Sequence, residues 1–218
     1  MEEIINEDNR RFGRDLKIII VGNISTGKTS IINRYIKEEF EVKCRATIGP
    51  SLSCKVVKIN GVVFRVHFWD LPGQDRNQMV SNVFCRDTDG IIFCCEVNDD
   101  KSLNDIKKWR ESLDSNIEIE EIPKIILENK CDLLGDEKKY NDNMEELKKI
   151  TEEYHFSKCF RTSALNGYNI DNAMKYLVKE IADKVDKEDI ESYRGNISAN
   201  TTITLDKKPY SNENRRCC

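Results

Sequence analysis

Leu16-Lys17-Ile18-Ile19-Ile20-Val21-Gly22-Asn23-Ile24-Ser25-Thr26-Gly27-Lys28-Thr29-Ser30 is the stretch that decides the fold. It runs directly into Ile31, Ile32, Tyr35 and Ile36, an apolar set at helical spacing. An apolar run, a glycine-bearing loop and an amphipathic face in that order predict strand, loop and helix. Gly22 to Thr29 fits the phosphate-loop pattern, in which glycines let backbone N–H groups turn inward at a helix N-terminus and cradle phosphate oxygens. Lys28 would reach the β- and γ-phosphates, and the Thr29 hydroxyl would bind Mg2+. Gly22, Ser25, Thr26, Gly27, Lys28, Thr29 and Ser30 are the expected phosphate contacts. The loop does not by itself name the base.

Outward from the loop, β-type runs at Leu52–Ile59 and Val62–Trp69 meet through Asn60-Gly61, a two-residue hairpin signal. Gly90–Val97, Lys124–Leu127 and Lys158–Thr162 read as further strands. Between them, Leu103, Ile106, Trp109 or Arg110, and Leu113 mark one helix, and Met144, Leu147 and Thr151 another. Ile170, Ala173, Met174, Leu177, Val178 and Ile181 form the cleanest helical stripe. The alternation predicts an α/β fold: a doubly wound, mostly parallel six-stranded sheet with one antiparallel pair and helices on both faces. Periodicity stops near Lys184. The expected organisation is an N-terminal extension over 1–15, a globular domain over 16–184, and a polar, disordered tail over 185–218.

Asp70 closes the strand Val62–Trp69 and precedes Leu71-Pro72-Gly73-Gln74. A carboxylate at the C-terminal end of a strand beside a phosphate loop can hold Mg2+ through water, since that ion keeps part of its hydration shell. Gly73 brings a backbone N–H near a terminal phosphate, and Gln74 can orient an attacking water. Asn129-Lys130-Cys131-Asp132 follows the strand Lys124–Leu127. Guanine presents a ring N–H beside an exocyclic amine, and the Asp132 carboxylate accepts from both; adenine has an acceptor where guanine has the ring donor and is rejected. Lys130 can lay its stem on the base, Asn129 can tie this loop to the phosphate loop, and Ser163, Ala164 and Leu165 can offer backbone N–H groups to the base oxygen.

The chain of 218 residues carries 35 Lys and Arg against 39 Asp and Glu, a net charge of −4. That balance argues against a nucleic-acid partner, whose footprint is basic. The first fifteen residues hold no apolar run of the secretory kind. Nine cysteines lack metal-ligand spacing, and Cys94 and Cys95 read as small buried side chains in a reducing cytosol. Cys217 and Cys218 are the last two residues of the polar tail, whose end is locally basic through Lys207, Lys208, Arg215 and Arg216. Asn196-Ile197-Ser198 and Asn200-Thr201-Thr202 match glycosylation acceptors that a cytosolic protein never presents to that machinery.

The ordered set of phosphate loop, Thr47-Ile48-Gly49, Trp69-Asp70-x-x-Gly73-Gln74, Asn129-Lys130-x-Asp132 and Ser163-Ala164 resembles the small GTPases of the Ras superfamily, over about Leu16 to Lys184. Trp69 to Arg76, Asn129 to Leu133 and the Cys217-Cys218 end resemble Rabs. Arg45-Ala46-Thr47-Ile48-Gly49 with the bulky Ile24 is most similar to the Rab branch of lysosome-related organelles. The resemblance implies that Thr47 caps the γ-phosphate and joins Thr29 and Asp70 around Mg2+, and that Phe40 packs on the guanine edge. It implies geranylgeranyl lipids on Cys217 and Cys218, attachment to the cytoplasmic face of endomembranes in cycle with the cytosol, and regulation by an exchange factor, a GTPase-activating protein, a GDP-dissociation inhibitor and effectors. Two lipids suit the physics, because one chain binds a bilayer reversibly. The 32 residues before the cysteine pair would span roughly 30 Å as a random coil.

Several residues depart from the Rab pattern. Pro50-Ser51-Leu52 stands where Val-Asp-Phe is usual, Asn77 where an aromatic residue is usual, Pro72 in place of Ala, and Ile24 in place of a small residue. The expected function is a GTP/GDP membrane switch in vesicle traffic that hydrolyses GTP slowly to GDP and phosphate. The alternative is a GTP-binding membrane scaffold with little intrinsic hydrolysis, which Ile24 and Pro72 favour. A phosphoryl-transfer kinase would need a lid and an acceptor site, and no segment reads as a lid.

Overall fold

The computed structural model describes residues 11–12, 14–42, 46–74, 82–134 and 137–185. Arg45, Asp75, Arg76, Asn77, Cys217 and Cys218, singled out above, lie outside them. The strands are β1 (Arg11–Phe12), β2 (Leu16–Val21), β3 (Ser51–Ile59), β4 (Val62–Asp70), β5 (Gly90–Glu96), β6 (Lys124–Asn129) and β7 (Lys158–Arg161). The helices are α1 (Lys28–Lys37), α2 (Asn82–Cys85), α3 (Asp100–Asp114), α4 (Glu137–Glu153) and α5 (Ile170–Lys184).

Six positions order the sheet as β3-β4-β2-β5-β6-β7, parallel except for the β3–β4 hairpin. The two-residue β1 adds no seventh position. β3 pairs along the whole of β4, so β1, which pairs Arg11 with Val62 and Phe12 with Val63, must take the other flank, in line with β2. The step from Phe12 to Leu16 is four residues against three from Val63 to Val66, so the line carries one extra residue between β1 and β2. Asp15 sits beside Arg65 and His67 of β4, and Arg14 pairs with Asp89, which ties the end of the N-terminal segment to the domain. At the hairpin, Asn60 (φ 50°) and Gly61 (φ 82°) both take positive φ, as a two-residue turn matched to strand twist requires.

The central strands are buried on both faces, which is why they read as unbroken apolar runs. Ile18 and Ile20 of β2, with Ile92 and Cys94 of β5, pack under Ile31, Ile32 and Tyr35 of α1 and the Ile170-to-Ile181 stripe of α5. Ile19 and Val21, with Ile91, Phe93 and Cys95, face the opposite layer of Leu103, Ile106, Trp109 and Leu113 from α3 and Leu147 from α4. Full burial of each such aliphatic or aromatic side chain is worth about 1.5–3 kcal/mol. The two layers leave every loop after a parallel strand at one end of the sheet, where the motif residues gather.

Candidate functional site

The turn from β2 into α1 is drawn tight by its own side chains. Gly22 (φ 143°) lies so close to β5 that a Cβ there would stand 2.1 Å from the Cys94 carbonyl oxygen. Lys28 is buried, and its ammonium donates to the Gly22 and Asn23 carbonyls, both at 2.8 Å. The Thr26 hydroxyl donates to the same Asn23 carbonyl at 3.0 Å. Burial lowers the Lys28 pKa, while Cys94 and Asp70 act in the opposite direction. Ser25 (φ 65°) holds a left-handed conformation that an L-residue rarely adopts, a strain typical of ligand loops.

Three oxygens converge beside that lysine. Thr29 Oγ1 donates to Asp70 Oδ2 at 2.5 Å and lies 2.9 Å from Thr47 Oγ1, so Thr47, across the chain from helix α1, is brought to the Thr29 hydroxyl. Asp70 is 2% exposed, and its Oδ1 is buried with no hydrogen-bond partner. Burial raises its pKa, opposed by the Thr29 hydrogen bond and by Lys28. A buried, orphaned carboxylate oxygen beside two hydroxyls is a hard-oxygen donor set, and it fits Mg2+. Gly73 follows so close to the phosphate loop that a Cβ would come within 2.5 Å of the Asn23 carbonyl carbon and the Ile24 nitrogen. Pro72 beneath it is buried, and Gln74 is exposed.

At the far end, Asn129 (1% exposed) spans two loops. Its Nδ2 donates to the Thr26 carbonyl at 2.9 Å, while its Oδ1 accepts from the Ala164 N–H at 3.2 Å and more weakly from the Thr162 hydroxyl at 3.4 Å. Lys130 takes a left-handed φ of 63° and its ammonium donates to Glu96 at 2.6 Å. Asp132 is exposed and accepts a hydrogen bond from the buried Ser163 hydroxyl, which aims the carboxylate. Behind these loops the neighbouring ends of β6 and β7 are joined by a buried Glu128–Arg161 ion pair.

One cavity of about 520 Å³ connects the two ends. It is lined by Ser25, Gly27, Lys28, Thr29, Ser30, Phe40, Thr47, Gly73, Gln74, Asn129, Lys130, Asp132, Ala164 and Leu165, all expected contacts, and by Ile24. Gly22, Thr26, Asp70 and Ser163 lie behind its wall, the last three holding Asn129, Thr29 and Asp132 in place. Glu41, Val42, Ala46 and Leu133 also line it without having been expected. Equally unforeseen is the backbone clamp from Arg34, whose Nε and Nη2 donate to the Ala164 and Leu165 carbonyls at 2.9 and 2.7 Å. No local sequence pattern announces a partner 130 positions away. Among the described residues no helix is long and apolar enough to cross a membrane.

A protein-family model described as the Ras family matches residues 17–183. Ras-related protein Rab-32 of Sus scrofa is 30% identical over 207 residues, covering 93% of this chain and 88% of that protein. Ras-related protein Rab-32C of Dictyostelium discoideum is 34% identical over 166 residues, 76% of this chain and 73% of the other. Ras-related protein RABA5b of Arabidopsis thaliana is 27% identical over 217 residues, 97% and 98% of the two chains.

Proposed function

The chain belongs to the Ras family as a Rab-type small GTPase that binds GTP and GDP with Mg2+ and hydrolyses GTP, and from that premise we propose that it is a slowly hydrolysing membrane switch in vesicle traffic. In this reading the nucleotide lies along the cavity, its phosphates on the Gly22–Thr29 loop and its guanine against Asp132. Asp132 accepts from the two adjacent guanine donors, Lys130 and Phe40 cover the base and its edge, and Leu165 flanks the base oxygen. Thr29, Thr47 and, through water, Asp70 would hold Mg2+, which would supply positive charge to offset that of the phosphates. Gln74 orients the attacking water in line with the γ-phosphorus, and Lys28 stabilises charge that gathers as the bond to the bridging oxygen breaks. Thr47 and Gly73 contact the γ-phosphate only when GTP is bound, so the segments around them order with GTP and relax after hydrolysis.

The single observation that best supports this assignment is the orphaned Asp70 Oδ1 behind Thr29 and Thr47, which line one cavity with Asp132. The anchor is a pair of prenyl groups on Cys217 and Cys218, and the membranes are those of lysosome-related organelles, in keeping with relatives named Rab-32. An exchange factor, a GTPase-activating protein, a GDP-dissociation inhibitor and GTP-dependent effectors complete the cycle. Two measurements test the reading. The purified full-length chain should retain GDP or GTP and exchange it faster when Mg2+ is chelated, and ATP at the same concentration should not compete. A tagged chain should fractionate with membranes and become cytosolic as the Cys217→Ser, Cys218→Ser double variant. Competition by ATP would remove the base site, and a double variant still on membranes would remove the anchor.

A further inference from the structure

The Asn23 side chain leaves the phosphate loop for a helix on the far side of the sheet. It does not line the cavity. Its amide is held instead by helix α3, where Trp109 Nε1 donates to Asn23 Oδ1 at 2.9 Å and Asn23 Nδ2 donates to Asp105 Oδ2 at 2.9 Å. Only one orientation of the amide satisfies an indole donor and a carboxylate acceptor together, so the geometry fixes it. Both partners are buried, Trp109 at 1% and Asp105 at 3% exposure, and they sit one helical turn apart on the same face. Lys108 donates to the other Asp105 oxygen at 2.7 Å and so orients the carboxylate.

The main chain of the same residue serves the reacting end of the site. The Asn23 carbonyl oxygen accepts from Lys28 Nζ and from the Thr26 hydroxyl, and its carbonyl carbon is the surface against which Gly73 packs. We propose that Asn23 is a positioning residue: helix α3, through Trp109 and Asp105, clamps the Asn23 amide and thereby sets the carbonyl that orients Lys28 and the bed on which Gly73 meets the γ-phosphate. This rests on the nucleotide assignment above. The side chain touches no nucleotide atom, so its effect is exerted through Lys28 and Gly73. Lys28 serves both nucleotides, whereas Gly73 serves only the triphosphate, and loosening the clamp therefore weakens GTP more than GDP.

The test exchanges the two polar groups. Asn23→Asp sets a second carboxylate against buried Asp105 and breaks the clamp. Asn23→Asp combined with Asp105→Asn restores it, because the new carboxylate accepts from Trp109 and from the amide introduced on α3, while Lys108 keeps an acceptor in the amide oxygen. Dissociation of fluorescent GDP and of a fluorescent non-hydrolysable GTP analogue is followed from the full-length chain in saturating Mg2+. Asn23→Asp is expected to speed release of the analogue by about 10–100-fold, with GDP accelerated several-fold less, and the exchanged pair to return both rates to within about threefold of the starting protein. Asn23→Ala adds no charge and gives the same unequal acceleration should Asn23→Asp fail to fold. Equal acceleration of the two nucleotides, or an exchanged pair no better than Asn23→Asp alone, overturns the proposal. A starting protein that holds neither nucleotide would instead overturn the nucleotide assignment.

Discussion

Replacing Asn129 by Ala should detach the base end of the site from the phosphate end, and the cost can be worked from its partners. The side chain is 1% exposed and stands between the Thr26 carbonyl at 2.9 Å and the Ala164 N–H at 3.2 Å. Ala removes both partners in a place water reaches poorly, and each stranded group costs about 1–3 kcal/mol. Thr26 O also accepts from the Cys94 thiol at 3.5 Å, a weak donor that offsets little, so the lower half of that range suits it. A total of about 2–5 kcal/mol follows, or roughly 30- to 5,000-fold in an equilibrium constant. Gly27 leaves no slack for repair, since a Cβ there would already lie 2.3 Å from Asn129 Nδ2. The loss should appear mainly as faster nucleotide release, because bound nucleotide is what bridges the two loops. The assay is dissociation of fluorescent GDP and GTP analogue in saturating Mg2+, with thermal unfolding in parallel. Both nucleotides should be released faster by the same factor, since Asn129 serves the loops and not the γ-phosphate. Release within threefold of the starting rate, with only a lowered melting temperature, would show that Asn129 supports the fold and not the site.

Asp132→Asn should shift preference from guanosine toward xanthosine nucleotides, because the amide can donate to the xanthine oxygen; unchanged preference in competition binding would refute the base contact. Burial raises the Asp70 pKa, so the associated stability is present below its unfolded value and is lost as pH rises through the folded one. Mg2+ binds the charged carboxylate and would pair its lone Oδ1, so it should raise the melting temperature of the GDP-loaded protein more at pH 7.5 than at pH 5; equal increments would contradict the assignment. Ile24, half exposed in the cavity with Gln74, and buried Pro72, whose φ is fixed near −65°, should hinder placement of Gln74 over the γ-phosphate. Intrinsic hydrolysis should then rise about 10- to 100-fold, or about 1.4–2.7 kcal/mol of barrier, in Ile24→Gly with Pro72→Ala. Single-turnover phosphate release from the two proteins that agrees within a factor of two would leave both residues as packing alone.

Most motif residues were legible in the sequence because they sit where a strand ends, and parallel strands bring their ends together whatever the chain between them. Lys28, Gly73, Asn129 and Leu165 therefore line one cavity, as their positions at or beyond the ends of β2, β4, β6 and β7 require. The hairpin was legible because Asn60 and Gly61 tolerate positive φ. Periodicity alone left Trp109 and Arg110 equivalent on α3; packing separates them, with Trp109 buried and Arg110 reaching Glu120. Asn23, Arg34 and Glu96 carried no such signal. Each acts through long-range hydrogen bonds, and a contact of that kind has neither a period nor a spacing. The strand β1 was equally silent, being two residues whose pairing depends on the open flank of β4.

Those silent contacts explain how the site is held together. On the proposed assignment its phosphate half consists of the β2–α1 loop, Asp70 and Gly73, and its base half of the loops after β6 and β7. Between them run the Asn129 amide, from below, and Arg34 of α1, whose guanidinium grips the Ala164 and Leu165 carbonyls while its Nη1 donates to Glu38 at the end of the helix. Arg34 ties the helix that follows the phosphates to the loop that follows the base, and Asn23 ties the phosphate loop to α3 on the opposite face of the sheet. Nucleotide lying along the cavity, as proposed, would add a further bridge at the level of the loops themselves. Because it binds the joined arrangement and not the separated one, it stabilises the domain by mass action, and the gain grows with the logarithm of its concentration over its dissociation constant. A site joined by a few polar contacts can stay folded with either nucleotide while the segments at Thr47 and Gly73, the second resting on the clamped Asn23, would respond to the γ-phosphate.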